Sequence, residues 1–150
     1  MADTPAEDIV HELLPLHGPY SRDNTIRACT LVDELIRYLN YATQHAEGLP
    51  WPVAAYDLIG ALKVATGKLP QTLRQTGVRV GAFAKDPNVV NRSMDYRAPE
   101  AAHTDAVARS ISARAELNHA ANLARELSAR LTAAQTLLSP IGLLDVDDDE

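Results

Sequence analysis

From Ala106 to Leu138 small or aliphatic residues recur at alternating steps of four and three: Ala106, Ser110, Ala113, Leu117, Ala120, Ala124, Leu127, Leu131, Ala134 and Leu138. A helix of 3.6 residues per turn gathers such a series on one side, and no strand does. The series predicts a single helix opened by Pro99 and stopped by Pro140 and Gly142. At 1.5 Å per residue it reaches roughly 60 Å. Its alanines let a neighbouring backbone come close, so the helix should be packed along most of its length. Glu126 stands four residues before Arg130, the favourable order for an ion pair on a helix surface.

Similar series occur upstream. Ala28, Val32, Leu35, Leu39 and Ala42 stripe a second helix, capped by Ser21 or Asp23 and running to about Ala46, with Leu31, Ile36 and Tyr38 widening the apolar face. Gly48 and Pro50 end it. A third begins at Trp51-Pro52 and carries Ile59, Leu62, Leu69, Leu73, Thr76, Val80 and Phe83. That phase survives Gly67 and Pro70, which predicts one helix kinked there, with a complete break at Gly67 as the alternative. A short helix precedes these. Thr4-Pro5-Ala6-Glu7 forms a capping box, Ile9, Val10, Leu13 and Leu14 give it a face, and Pro15 closes it. Residues 85–97, with Asp86-Pro87-Asn88, have no period and are expected to form a long, mobile connection.

The expected fold is therefore all-α: an antiparallel bundle of three long helices plus a short N-terminal helix. In domain terms, residues 1–142 make a helical bundle domain and residues 143–150 an acidic tail. At 150 residues the chain suits one domain. Leu31, Ile36, Ile111 and Leu123 fall off the main seams. That surplus points to a protein partner or to self-association as a homodimer completing a larger bundle.

Charge is distributed unevenly. Residues 58–97 carry Lys63, Lys68, Arg74, Arg79, Lys85, Arg92 and Arg97 against Asp86 and Asp95, whereas the last six residues are acidic but for Val146. The basic stretch is a candidate anion-binding segment and supports an alternative reading, a nucleic-acid-associated regulator using residues 63–97. A net charge of -6 argues against it. In the tail, Leu144, Asp145 and Asp147 form a short apolar-acidic peptide that a basic-rimmed groove on a partner would hold. Tyr38, Tyr41, Trp51 and Tyr56 fall near one end of the second and third helices. They are candidate partner-binding residues or, alternatively, an apolar plug.

Catalytic signatures are missing from the pattern. His11 and His17 are separated by Pro15, His103 and His119 stand far apart on one helix, and no Glu-x-x-His supplies a di-metal site. Cys29, the single cysteine, has no histidine within a helical turn to activate it. Neither a Gly-x-Ser-x-Gly elbow nor a glycine-rich phosphate loop occurs. The expectation is a non-enzymatic protein without metal or cofactor. No apolar run approaches a membrane span and no signal peptide opens the chain, so the expected location is the cytoplasm, with no membrane partner.

Trp51 in a turn and the series Tyr96-Arg97-Ala98-Pro99-Glu100 are similar to features of the WXG100 secretion substrates. Trp51 is followed by Pro52 and Val53 without the required glycine, however, and Tyr96 precedes a long helix where it should trail one, which excludes that family. Residues 56–63, then Leu69-Pro70-Gln71-Thr72-Leu73 and the alanine-rich last helix, resemble alanine-rich small helical proteins of actinomycetes with no established activity. That resemblance implies a helical, cytosolic protein and no catalytic residue.

Overall fold

The computed structural model describes residues 5–94 and 97–142, and every regular element among them is helical. Thr4, Tyr96, Leu144, Asp145 and Asp147, with the rest of the acidic tail, lie outside the described residues. The chain divides into two compact units, Met1–Pro50 and Trp51–Glu150.

In the first unit, α1 spans Ala6–Leu13 and α2 spans Arg22–Ala42. Pro15 forces Leu14 into extended backbone (φ -140°, ψ 122°), and this ends α1 where the sequence predicts. Ser21 is the cap of α2; its Oγ accepts the Asn24 N–H at 3.1 Å. The helix stops four residues short of the expected Ala46. Gln44 and His45 donate to the carbonyls three residues back, and Ala46–Gly48 form a 3-10 turn. Gly48 makes that turn possible, since a Cβ there would stand 2.0 Å from the Ala42 carbonyl oxygen.

In the second unit, α3 spans Pro52–Phe83 and α4 spans Pro99–Leu138, each with proline in its first turn. α3 runs unbroken through Gly67 and Pro70, so the alternative of a complete break at Gly67 is not what the chain does. The two helices pack against one another in opposite directions. Gly60 lies beside Gln135, Gly67 beside Ser128, Gly77 beside Leu117, and Gly81 beside Arg114.

The α4 stripe marks this seam, with Ala106 and Ala124 buried and Ser110, Leu117, Ala120, Leu131, Ala134 and Leu138 half-buried, whereas the α3 stripe meets it only in part, at Ile59, Leu62, Leu73 and Val80. The seam's buried members are Pro70 and Gly77 on α3, and Ala102, Ala106, Ala121 and Ala124 on α4. Ala121 is completely inaccessible. Leu69 and Phe83, expected at the seam of α3, are exposed, as is Leu127 of the α4 series. The physical reason is approach distance. Helix axes come closest where side chains are smallest, so glycine, alanine and proline take the fully buried positions, while Leu69, Phe83 and Leu127 stand on the shoulders of the contact. Among the described residues no large side chain is fully buried.

Candidate interaction surfaces

α2 is sharply two-sided. At 100° per residue, Ala28, Leu31, Val32, Leu35, Ile36, Tyr38, Leu39 and Ala42 share an arc of roughly 160° that contains no charge. Arg22, Asp23, Arg27, Asp33, Glu34 and Arg37 share the other side, where Glu34 accepts a hydrogen bond from Arg37. Much of the apolar arc is open, with Leu35 60% exposed and Tyr38 68%, while Ala28, Leu31, Leu39 and Ala42 are half-buried. Tyr41 lies among the charged residues. Tyr38 and Tyr41, in the first unit, and Trp51, in the second, are each more than half exposed. Tyr56 is half-buried on α3, with its carbonyl accepting from Gln135 Nε2 at 3.4 Å.

On the α3–α4 pair the two open sides differ. One is polar. Lys63 donates from Nζ to Gln135 Oε1 at 2.6 Å, and Ser128 Oγ donates to the Lys63 carbonyl at 3.3 Å. Tyr56, Lys63, Thr132, Gln135, Thr136 and Ser139 line a recess of about 190 Å3 there. The other side, a quarter turn the opposite way on both helices, carries Leu58, Leu62, Leu69, Thr76 and Phe83 on α3, and on α4 Leu123, Leu127 and Ala134 together with Asp105, Arg109 and Glu116. Leu69, Phe83, Leu123 and Leu127 are exposed on it, Leu123 at 50%.

The candidate anion-binding residues do not converge. Lys63 and Arg74 fall close to the seam of α3, whereas Lys68 and Arg79 point away from α4, roughly 140° further round. Lys85, Arg92 and Arg97 are exposed outside α3, in the connection to α4. That connection is tied down more firmly than its lack of period suggests. Asn91 N–H donates to the Ala102 carbonyl at 3.0 Å, Asn91 Nδ2 donates to Asp105 Oδ2 at 2.6 Å, and His103 Nδ1 lies 2.7 Å from the Val89 carbonyl. Arg109 Nε donates to the same Asp105 oxygen at 2.6 Å. Hydrogen bonding from Arg109, then from Asn91, holds the Asp105 carboxyl below its ordinary value of 3.8, reinforced by the Arg109 charge and opposed by desolvation.

Asn91, His103 and Asp105 are the residues that sequence reasoning missed. The signal was an Asn and a His fourteen or fewer positions from their partners, in a stretch without periodicity, and nothing local separates such residues from solvated ones. Cys29 is exposed beside the α2 arc. No helix among the described residues is long and apolar enough to cross a membrane. Compared with known proteins, the chain matches no family model, no curated protein and no solved structure.

Proposed function

We propose that the chain is a non-enzymatic interaction or scaffold protein that self-associates or binds a partner helix through helix–helix contacts. One observation supports this above the others: the charge-free arc of α2, with Val32, Leu35, Ile36 and Tyr38 exposed together. A helix does not hold such a face in water without cost, and a face wider than about 100° suits packing between more than one neighbour. Part of the surplus belongs to the chain's own architecture. In this reading α3 bends at Gly67 and Pro70, and the three long helices associate as an antiparallel bundle. The remaining apolar surface is what a partner or a second copy covers. The separation of the α3 bases onto two sides gives no support to nucleic acid as that partner.

Size-exclusion chromatography with light scattering, together with pull-down on the full chain, tests the reading. The expected result is a defined oligomer or a stoichiometric complex that Leu35→Lys weakens. A strict monomer that captures no partner refutes it.

A further inference from the structure

We propose that the acidic segment 143–150 folds back on the polar side of the α3–α4 pair and is held there, within one chain, by Lys63 and Arg125. This goes beyond the interaction reading above and does not depend on it.

The two cations share that side. Thr132 lines the recess beside Lys63, and Arg125 stands seven residues before Thr132, two helical turns away on the same face of α4. Neither cation meets a carboxylate among the described residues. Lys63 Nζ donates to the neutral Gln135 amide, and Arg125 donates to the neutral Asn122 Oδ1. The ion pairs described are Arg22–Asp23, Arg37–Glu34 and Asp105–Arg109, none of them at this recess. The nearest acids are turned away. By helical phase Asp57 points away from α4, and Glu126 points away from α3, where its expected pair with Arg130 does not form among the described residues either. Lys63 is half-buried, so its charge is less screened than a fully exposed one and gains more from a carboxylate.

The path of the chain then selects the occupant. Ile141 lines a second recess of about 190 Å3 with Val53, Tyr56, Leu138 and Ser139. Tyr56 and Ser139 also line the recess that holds Lys63, so the chain leaves α4 on the side where the two cations stand. The pairing of Gly60 with Gln135 and of Gly67 with Ser128 sets the heights along the helices and puts Arg125 level with Pro70. Measured from Val53 along α3, Lys63 lies about 15 Å away and Pro70 about 25 Å. A chain covers at most about 3.3 Å per residue. From Ile141, Asp145 therefore reaches about 13 Å, Asp147 about 20 Å and Glu150 about 30 Å. The acids span the heights of both cations. Order along the segment agrees as well: Leu143 and Leu144 come first and pass Val53, and the acids follow where the cations begin.

Zero-length carbodiimide coupling of the full chain, read by peptide mass spectrometry, tests this, because it joins a lysine amine to a carboxylate in contact with it. The chain has three lysines, Lys63, Lys68 and Lys85. The expected product joins Lys63 to the acids of residues 145–150, at least about tenfold above Lys68, which lies within the same reach but points away from α4. The yield should fall at least about fivefold in about 0.5 M salt and at least about threefold with Arg125→Glu, at an exposed position. Amide chemical shifts give a readout independent of the coupling chemistry. Changing Asp145, Asp147, Asp148, Asp149 and Glu150 to their amides should move Tyr56, Lys63 and Arg125 and leave Leu69 and Leu123 in place. Coupling to Lys68 as strong as to Lys63 overturns the proposal, as does a yield indifferent to both salt and Arg125→Glu. So does an amide spectrum that the five changes leave alone at Tyr56, Lys63 and Arg125. Coupling a mixture of isotope-labelled and unlabelled chains separates one chain from two: products joining a heavy to a light peptide place the segment on a second copy and overturn it too. A strict monomer that captures no partner refutes the interaction reading and leaves this contact standing.

Discussion

Gly77 is where the packing of α3 on α4 can be tested with one side chain. It is buried, and a Cβ built on it would lie 3.6 Å from Arg114 Cγ and Leu117 Cβ and 3.7 Å from the Arg114 carbonyl oxygen. Those are ordinary van der Waals distances, so Gly77→Ala fits without moving α4. It should stabilise the chain by about 1 kcal/mol, because alanine loses less backbone freedom than glycine in a helix interior. Gly77→Leu keeps that gain and adds three carbons with nowhere to go, since the Arg114 backbone blocks the direction they would take. Overpacking costs about 1–3 kcal/mol, so the leucine variant should fall below the alanine variant by about 2 kcal/mol. Gly67 supplies the control. It is exposed, with Ser128 Oγ at 3.6 Å its one neighbour within 4 Å, so Gly67→Ala and Gly67→Leu should both stabilise by up to about 1 kcal/mol. Urea unfolding followed by helix circular dichroism measures all four. If Gly77→Leu proves as stable as Gly77→Ala, the close approach of α3 to α4 at Leu117 is wrong, and with it the register of the pair.

Other outcomes follow from single contacts. Ser21→Ala should cost about 1 kcal/mol by removing the cap on the Asn24 amide, read as loss of helix signal and faster amide exchange in the first turn of α2. Gly48→Ala cannot be absorbed by a side-chain swing, because the atoms met at 2.0 and 2.7 Å are the Ala42 carbonyl oxygen and carbon; the 3-10 turn should open at a cost of about 1–3 kcal/mol. The depressed Asp105 carboxyl favours the folded connection when ionised. That contribution is present above the ordinary carboxylate value and is lost as pH falls through the lower folded value. The Asn91 amide should therefore exchange more slowly in the wild type than in Asp105→Asn at neutral pH, and the difference should vanish in strong acid; exchange unaffected by the substitution at pH 7 would count against the clamp.

Where the backbone alone decides, the sequence was readable. Pro15, Pro52 and Pro99 mark helix boundaries because proline restricts its own φ and its predecessor's, and this needs no partner. Ser21 caps α2 for an equally local reason. The end of α2 was less legible. Nothing in Thr43-Gln44-His45 forbids a further helical turn, and the stop depends on how closely Gly48 folds back to Ala42. In α3 the unbroken phase across Pro70 was the correct guide, because loss of one donor does not end a helix whose flanking turns stay intact.

The placement of the seam was the costly error, and its cause is general. On α4 the periodic series included the buried Ala106 and Ala124, but on α3 it followed large apolar side chains to Leu69, Thr76 and Phe83, which are exposed. Contact between two helices selects the line where backbones can approach, which also takes in Pro70, Gly77 and Ala121. The two lines run side by side, roughly a quarter turn apart, and both are real features of the sequence. A small-residue line is sufficient to join two helices. It buries too little area to explain why leucines repeat beside it, since full burial of one leucine contributes about 1.5–3 kcal/mol and an alanine contact contributes far less. The small-residue line joins α3 to α4, whereas Leu69, Phe83, Leu123 and Leu127 stand exposed beside it.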